Sequence, residues 1–412
     1  MNKAWTMVWM AGLTTGWISA IGAQTALART APSPALPERI ANSQTAFALD
    51  LYAHLRTDEG NLFFSPYSIA SALAMTYGGA RGETAAQMAR MLRFPADATD
   101  IHPAHAKLAA RLRHAQRDGK VALHVANALW PQKDYAFRKE YLNLLKKHYD
   151  APATAVDYRT APEAARQTIN AWVEKQTRER IKDLFAPGTI VPLTRMVLAN
   201  AIWFKGDWAH PFDAKRTEKA PFSVSATKRV SVPMMRQTTR FPYAEFKELQ
   251  IMEMPYAGGD LSMLIVLPAT GLSLNAVEDS LDLDTLEKWT SALRSREVET
   301  HVPKFKMVWG ARSLVKELKA MGMTDAFQAG GSDFSGMDGS RELFMDVVMH
   351  KAFVEVNEEG TEAAAATGIG MRATSIPAPP PVFKADRPFL FLIREKNVGL
   401  PLFMGRVANP TE

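Results

Sequence analysis

A mixed α/β fold is what the apolar patterning of this chain predicts, and three observations carry that prediction. Segments 121–130, 197–204 and 261–267 are largely apolar runs of strand length. Segments 38–57, 162–177 and 283–293 instead space their apolar residues onto one face of a helix. The 412 residues are enough for a large core. Length alone suggests two or more domains, yet beyond about residue 37 there is no linker, internal repeat or heptad run.

The elements follow in order. Residues 1–28 read as a signal peptide: Lys3 is the basic start, 4–23 the apolar stretch, and Ala26-Leu27-Ala28 the small-residue cleavage pattern. A single membrane anchor competes, since 4–23 is long enough to span, but Gly12, Thr14, Thr15, Gly16 and Gly22 dilute the stretch. Cleavage after Ala28 leaves a flexible segment, 29–37. Export to a periplasm or to the extracellular space is expected, with no membrane association after leader removal. The first helix covers 38–57, with Ile40, Phe47, Leu51 and Leu55 on its apolar side. Ser65-Pro66 opens a second, because serine caps a helix and proline suits its first turn. Helices at 84–92 and 105–116 precede the strand at 121–130. The helix at 162–177, with Ile169, Trp172 and Val173 on one face, precedes the strand at 197–204. Several short strands fill 222–267; 283–293 and 313–321 are helical; 343–356 is a strand; 389–393 and 402–404 are the last strands. Residues 377–381 are rich in proline and stay extended, outside any sheet interior.

Composition narrows the chemistry. The absence of cysteine excludes disulfides, thiol catalysis and a lipidated cysteine. The net charge of +6 is modest, and no nucleic-acid partner is expected. One basic cluster stands out: Lys107, Arg111, Arg113, His114, Arg117 and Lys120, with Leu108 and Leu112 on the opposite side. It reads as a solvated helix face or as a polyanion site. No serine lies in a G-x-S-x-G, and no P-loop or dinucleotide fingerprint occurs. His102-Pro-Ala-His105 has metal-like spacing without a third ligand, and Asp333 and Asp338 near Gly336 do not fit an EF-hand. No enzyme activity, metal or cofactor is expected.

Val356-Asn-Glu-Glu-Gly-Thr-Glu-Ala-Ala-Ala-Ala-Thr-Gly368 is the most informative segment. It starts as a strand, breaks at Gly360, then runs through small residues. With Thr361 inward, alternation puts Ala363, Ala365, Thr367, Ile369 and Met371 on the same face. Glu362, Ala364, Ala366, Gly368, Gly370 and Arg372 fall on the other. An alanine run is also the best helix former, with Gly368 as a C-cap. The residues alone leave helix and latent strand both open.

That segment resembles the hinge and reactive-centre loop of the serpins, the serine-protease inhibitor family. Further blocks are similar to the family in the same order: Asn61-Leu-Phe-Phe-Ser-Pro-Tyr-Ser-Ile-Ala70, Ala126-Asn-Ala-Leu-Trp130, Ile169-Asn-Ala-Trp-Val-Glu-Lys-Gln-Thr177 with Ile181-Lys-Asp-Leu184, Leu198-Ala-Asn-Ala-Ile-Trp-Phe-Lys-Gly-Asp-Trp208, and Pro401-Leu-Phe-Met-Gly-Arg-Val-Ala-Asn-Pro410. The resemblance spans about 38–411. It implies one large serpin-like α/β (α+β) domain with three β-sheets, a shell of about nine helices and an exposed reactive-centre loop over about 358–382.

The resemblance also implies a mechanism. A target serine protease cleaves the loop and forms an acyl-enzyme ester. The freed loop inserts into the central sheet, and the protease is trapped in a covalent complex. The implied hinge is Glu358, Gly360, Thr361, Glu362, Ala363, Ala364, Ala365, Ala366 and Thr367. Counting forward from Gly360 by the family's hinge length, or back from Phe383-Lys-Ala-Asp-Arg-Pro388, gives Thr374-Ser375 as the reactive bond. That bond suits an elastase-like or subtilisin-like target. Arg372-Ala373, for a trypsin-like target, is the main rival; Met371-Arg372 is a third choice. Gly368 and Gly370 depart from the β-branched residues of many relatives, which bears on inhibitory efficiency. Ser65, Ser68, Asn200 and His350 match a buried polar cluster under the central strands. Trp208 matches the tryptophan where insertion begins. Lys107, Arg111, Arg113, Arg117 and Lys120 lie where some serpins bind sulfated polysaccharide. A monomer is expected. The alternative is a non-inhibitory serpin serving binding, chaperone or storage.

Overall fold

The computed structural model describes Met1 and residues 36–96, 99–151, 154–361 and 379–412. The expected leader beyond Met1 and the loop from 362 to 378 lie outside the described residues. Residues 36–412 fall in one compact unit.

Helix α1 (Leu36–Leu55) buries Ile40, Phe47, Leu51 and Leu55, the stripe read from the sequence. After β1 (Leu62–Phe64), α2 (Pro66–Tyr77) starts at the expected Ser-Pro pair. Ser65 is its N-cap: extended backbone, with Oγ accepting the Ser68 N–H at 3.1 Å. All of α2 but Tyr77 is buried, so it lies inside the molecule. Helices α3 (Gly82–Met91) and α4 (Ile101–Ala115) come next. The fourth helix starts at 101 rather than 105 because Pro103 falls in its first turn, where no intrahelical bond is lost. Strand β2 (Val121–Pro131) precedes α5 (Lys139–Tyr149), a helix missed from sequence whose signal is Tyr141 and Leu145, four apart and buried. Then come α6 (Pro162–Gln176) and β3 (Met196–Asp207).

Four strands follow: β4 (Glu218–Ser223), β5 (Arg229–Glu245), β6 (Leu249–Pro255) and β7 (Leu261–Pro268). Helices α7 (Leu274–Asp279) and α8 (Leu283–Ser291) lead to β8 (Arg294–Pro303) and β9 (Phe305–Ser313). Helix α9 (Val315–Ala320) starts later than expected because Ser313 still belongs to the strand before it. A short α10 (Ser335–Asp338) precedes β10 (Val348–Val356), the C-terminal part of the strand expected over 343–356. The rest is β11 (Gly360–Thr361), β12 (Val382–Lys384), β13 (Phe389–Glu395) and β14 (Pro401–Val407).

Hydrogen bonding joins these strands into two sheets among the described residues, where three were expected. The reason is β5, which runs 17 residues instead of the expected short strands. It pairs β4 at its start, β8 along its middle and β6 at its end, with Tyr243 in register with both Arg294 and Met252. Two expected sheets are thereby continuous as one of nine strands. The second, central sheet has five: β2, β3, β10 and β9 in lateral order, plus β11.

The core lies between the two sheets. Phe63 and Phe403 stack at 5.2 Å, Phe204 reaches Phe403 at 5.9 Å, and Phe305 reaches Phe391 at 5.4 Å. A second apolar cluster, with Trp130, Ile169, Val173 and Phe185, packs α6 onto the other face of β2 and β3. Among the described residues no helix is long and apolar enough to cross a membrane.

Candidate functional site

The strand registers define a seam. Strand β3 pairs β2 antiparallel along its whole length, from Val121–Gly206 to Pro131–Met196. On its other edge it pairs β10 in parallel, from Leu198–Val348 to Trp203–Phe353. Beyond Trp203 the second edge is taken by β11, antiparallel, with Thr361 opposite Gly206 and Gly360 opposite Asp207. Since β2 already occupies Gly206 from one side, Gly360 and Thr361 must lie on the side of β10. The chain leaving β10 therefore doubles back and starts a new strand at the head of the seam between β3 and β10.

The turn is closely fitted. The Asn357 N–H donates to Gly360 O at 2.9 Å, and Asn357 Oδ1 accepts from the N–H groups of Glu359 and Gly360 at 3.1 and 3.2 Å. A Cβ on Gly360 would stand 2.0 Å from Gly206 O, so only glycine allows this approach. Trp208 holds the turn from the sheet side. Its backbone N–H donates to Glu359 O at 2.8 Å, its indole N–H to Asn357 O at 3.1 Å, and its ring stacks on Tyr256 at 4.6 Å. Thr361 is fully buried, its hydroxyl 2.9 Å from Tyr256 OH. Glu358 is tied down by Thr217 Oγ1 and Lys304 Nζ, each at 2.8 Å. Burial pushes its carboxyl pKa up, but these partners and its own backbone hold it below the ordinary value.

These contacts correct the expected bounds of the loop. Glu358, Gly360 and Thr361 belong to the body of the protein, because backbone pairing with β3 buries them, and Val382 already belongs to β12. The remaining expected hinge residues, Glu362, Ala363, Ala364, Ala365, Ala366 and Thr367, lie outside the described residues. So do Arg372, Ala373, Thr374 and Ser375.

Lower on the same seam, Ser65, Ser68, Asn200 and His350 come together in one network. All four are nearly inaccessible to solvent. His350 Nδ1–H donates to Asn200 Oδ1 at 2.5 Å, and His350 Nε2 accepts the Ser65 N–H at 3.1 Å. Those partners fix the neutral tautomer. Burial pushes the His350 pKa down to about 3, in keeping with a ring whose two nitrogens must differ. Ser65 Oγ donates to Leu402 O at 2.6 Å. Asn200 Nδ2 donates to Ser68 Oγ and to Asn127 Oδ1, both at 2.6 Å. Asn127 is the member the sequence reading missed. Its signal was a lone amide within the apolar run Ala126-Asn-Ala-Leu-Trp130. The registers align Asn127, Asn200 and His350 in one row across β2, β3 and β10. Every polar side-chain atom of the row has a partner, as a buried network requires.

The basic cluster is less free than its sequence suggests. Arg117 pairs with Asp260 at 2.8 Å, and Arg111 and Lys120 lie 3.9 Å from Glu395 and Asp207. Lys107 and Arg113 are exposed on α4 and make no ion pair among the described residues. His102 and His105 do not share a ligand-like arrangement: His102 Nδ1 meets Tyr149 OH at 2.7 Å, while His105 Nδ1 faces Gln44. No cluster of three metal-ligating side chains occurs among the described residues.

Comparison with known proteins agrees with this architecture. The sequence model of the family described as "Serpin (serine protease inhibitor)" matches residues 42–410. The leukocyte elastase inhibitor of Bos taurus is 41% identical over 385 residues, covering 90% of this chain and all of the relative. Among solved structures, uncleaved ovalbumin superposes with a TM-score of 0.81 at 30% identity, over 90% of this chain and all of that one. The mouse protein-Z dependent protease inhibitor gives 0.80 at 28% identity, over 91% of this chain and 98% of that one.

Proposed function

The chain belongs to the serpin family, and from that premise we propose that it inhibits serine proteases as a suicide substrate. The protease cleaves the segment after Thr361, forms an ester with it, and is carried along as that segment enters the seam between β3 and β10. The observation that carries this reading is the antiparallel pairing of Gly360 and Thr361 with β3 at the head of the seam. Pairing with β3 starts there, and a strand continued along β3 would meet the edge that β10 now occupies.

The register gives the proposal a specific form. Thr361 stands opposite Gly206. Continued antiparallel pairing would bring Ala363 opposite Phe204, Ala365 opposite Ile202 and Thr367 opposite Asn200. These share the buried face of Thr361 and are small and neutral. The advancing strand would take the place of His350 beside Asn200. About ten new ladder bonds, at a net ~0.5–1.5 kcal/mol each, supply on the order of 10 kcal/mol. The uncleaved form is then held by a barrier rather than by equilibrium.

Thr374-Ser375 is the proposed reactive bond, with Arg372-Ala373 as the rival; a relative named for leukocyte elastase supports an elastase-like target. The amino-terminal pattern supports export of the domain from about residue 38 onward. A sulfated polysaccharide would have only Lys107 and Arg113 as unpaired cations on α4, which weakens that part of the reading.

The test is incubation with elastase, subtilisin, trypsin and chymotrypsin, followed by denaturing electrophoresis and mass spectrometry. A complex that survives detergent, with a cut at 374–375, is the expected result. Thr361→Arg should convert the protein to a substrate that is cleaved and released, because an arginine cannot follow the path Thr361 takes against Tyr256. Detergent-stable complexes with that variant would refute the role assigned to the seam. Cleavage without any complex in the parent protein would instead favour the binding or storage reading.

A further inference from the structure

Strand β12 is only three residues long and lies at the end of the nine-stranded sheet, parallel to β8. Val382 stands opposite Glu299 and Lys384 opposite His301, so β12 covers a small part of its neighbour. On its other side β8 pairs β5 along its whole length, Arg294–Pro303. On the side of β12 no strand pairs with residues 294–298 among the described residues. Arg294, Ser295, Arg296 and Glu297 are exposed. An open edge of this kind is a template for any extended chain nearby. The nearest is the arm that enters β12 directly, Pro379-Pro380-Pro381.

The bonds at β12 fix which groups would meet if that arm continued the strand. The Glu299 N–H donates to Pro381 O at 3.0 Å, and the Ala385 N–H donates to His301 O at 2.9 Å. A parallel ladder repeats this pattern every second residue. One step upstream, Glu297 O would accept from the N–H of residue 381. One step further, Ser295 O would accept from the N–H of residue 379. Both positions are proline, which has no N–H. Pro380 lies between them, and an N–H at that position would point away from β8. Pro381 thus accepts the last bond of β12 and cannot donate the next one.

We infer that Pro379 and Pro381 are positioning residues for the proposed cleavage: they stop the pairing with β8 at β12 and keep the arm behind the reactive bond off the sheet edge, where a protease can engage it. The inference rests on the reading of the preceding segment as the reactive loop. It assigns the role to the two outer prolines and not to Pro380. Pro379→Val combined with Pro381→Val restores both donors with a residue that favours strands; Pro380→Val is the control of opposite parity. Each is made in the full chain and followed by hydrogen–deuterium exchange. In the double variant the amides created at 379 and 381 should exchange about fivefold or more slower than those of an unpaired chain, as two ladder bonds require. Cutting of the loop by subtilisin, measured as kcat/KM, should fall about threefold or more, because cleavage tracks the open population. In the control the amide created at 380 should exchange as an unpaired one, and cutting should match the parent's. Unprotected amides at 379 and 381, or equal protection at 380 in the control, overturn the inference. So does unchanged cutting in a double variant whose new amides are protected. A parent that is cut but never trapped refutes the proposed inhibition instead, and the exchange contrast still decides the role of the prolines.

Discussion

His350 is the residue on which the central seam turns, because its two ring nitrogens do opposite things. Protonation would give both a hydrogen and set Nε2–H against the Ser65 N–H. The ring has its ordinary pKa of 6.5 when unfolded and about 3 when folded. The unfolded state therefore binds the extra proton first. The stabilisation is complete above pH 6.5 and is lost as pH falls toward 3. His102, held down to about 4, and His105, to about 3, act in the same direction. The lifetime of the uncleaved form at fixed temperature should shorten through this window, and His350→Gln should make the acid limb shallower. An unchanged limb in that variant would assign the effect to the other histidines. Asn127→Ala strips three hydrogen bonds from the row, two with Ser68 and one with Asn200, and about 1–3 kcal/mol of stability should go with them. A urea midpoint within error of the parent's would show that the row is satisfied without it.

Strand β11 is the shortest element and depends on Gly360 passing close to the carbonyl oxygen of Gly206. In Gly360→Ala the new methyl group meets Gly206 O, so Gly360 and Thr361 should leave β3. The Trp208 amide, which donates to Glu359 O, should then exchange at least tenfold faster by hydrogen–deuterium exchange; parent-like protection would mean the turn tolerates a side chain. Much at this scale was legible in the sequence. Ser65-Pro66 marked the start of α2, and the apolar stripe of α1 marked its buried face. What could not be read is what depends on pairing. Asn127 looked like an isolated amide because its partners, Asn200 and Ser68, are remote in sequence and meet it only through the register of β2 on β3. The length of β5 was hidden because Pro233 and Pro242 punctuate it. Both sit in β5, where the register with β4 runs through Pro233 and the register with β8 runs through Pro242. The loop bounds were misjudged for a related reason: Glu358 and Thr361 are polar, and only Lys304, Thr217 and Tyr256 make their burial tolerable.

For the whole molecule, loop cleavage should leave a more stable protein. On the order of 10 kcal/mol of added pairing corresponds to a melting temperature higher by roughly 10 °C or more; calorimetry that finds no rise would rule out insertion. Protection against exchange should increase along β3 and β10 and stay level along β5, β6, β7, β8, β13 and β14. The continuity of β5 gives that contrast its meaning. A spring delivers force only if its seat does not yield. By running unbroken from one group of strands into the next, this single strand joins nine strands into one continuous sheet; under the proposed insertion that sheet would be the seat and the five-stranded sheet the part that recoils.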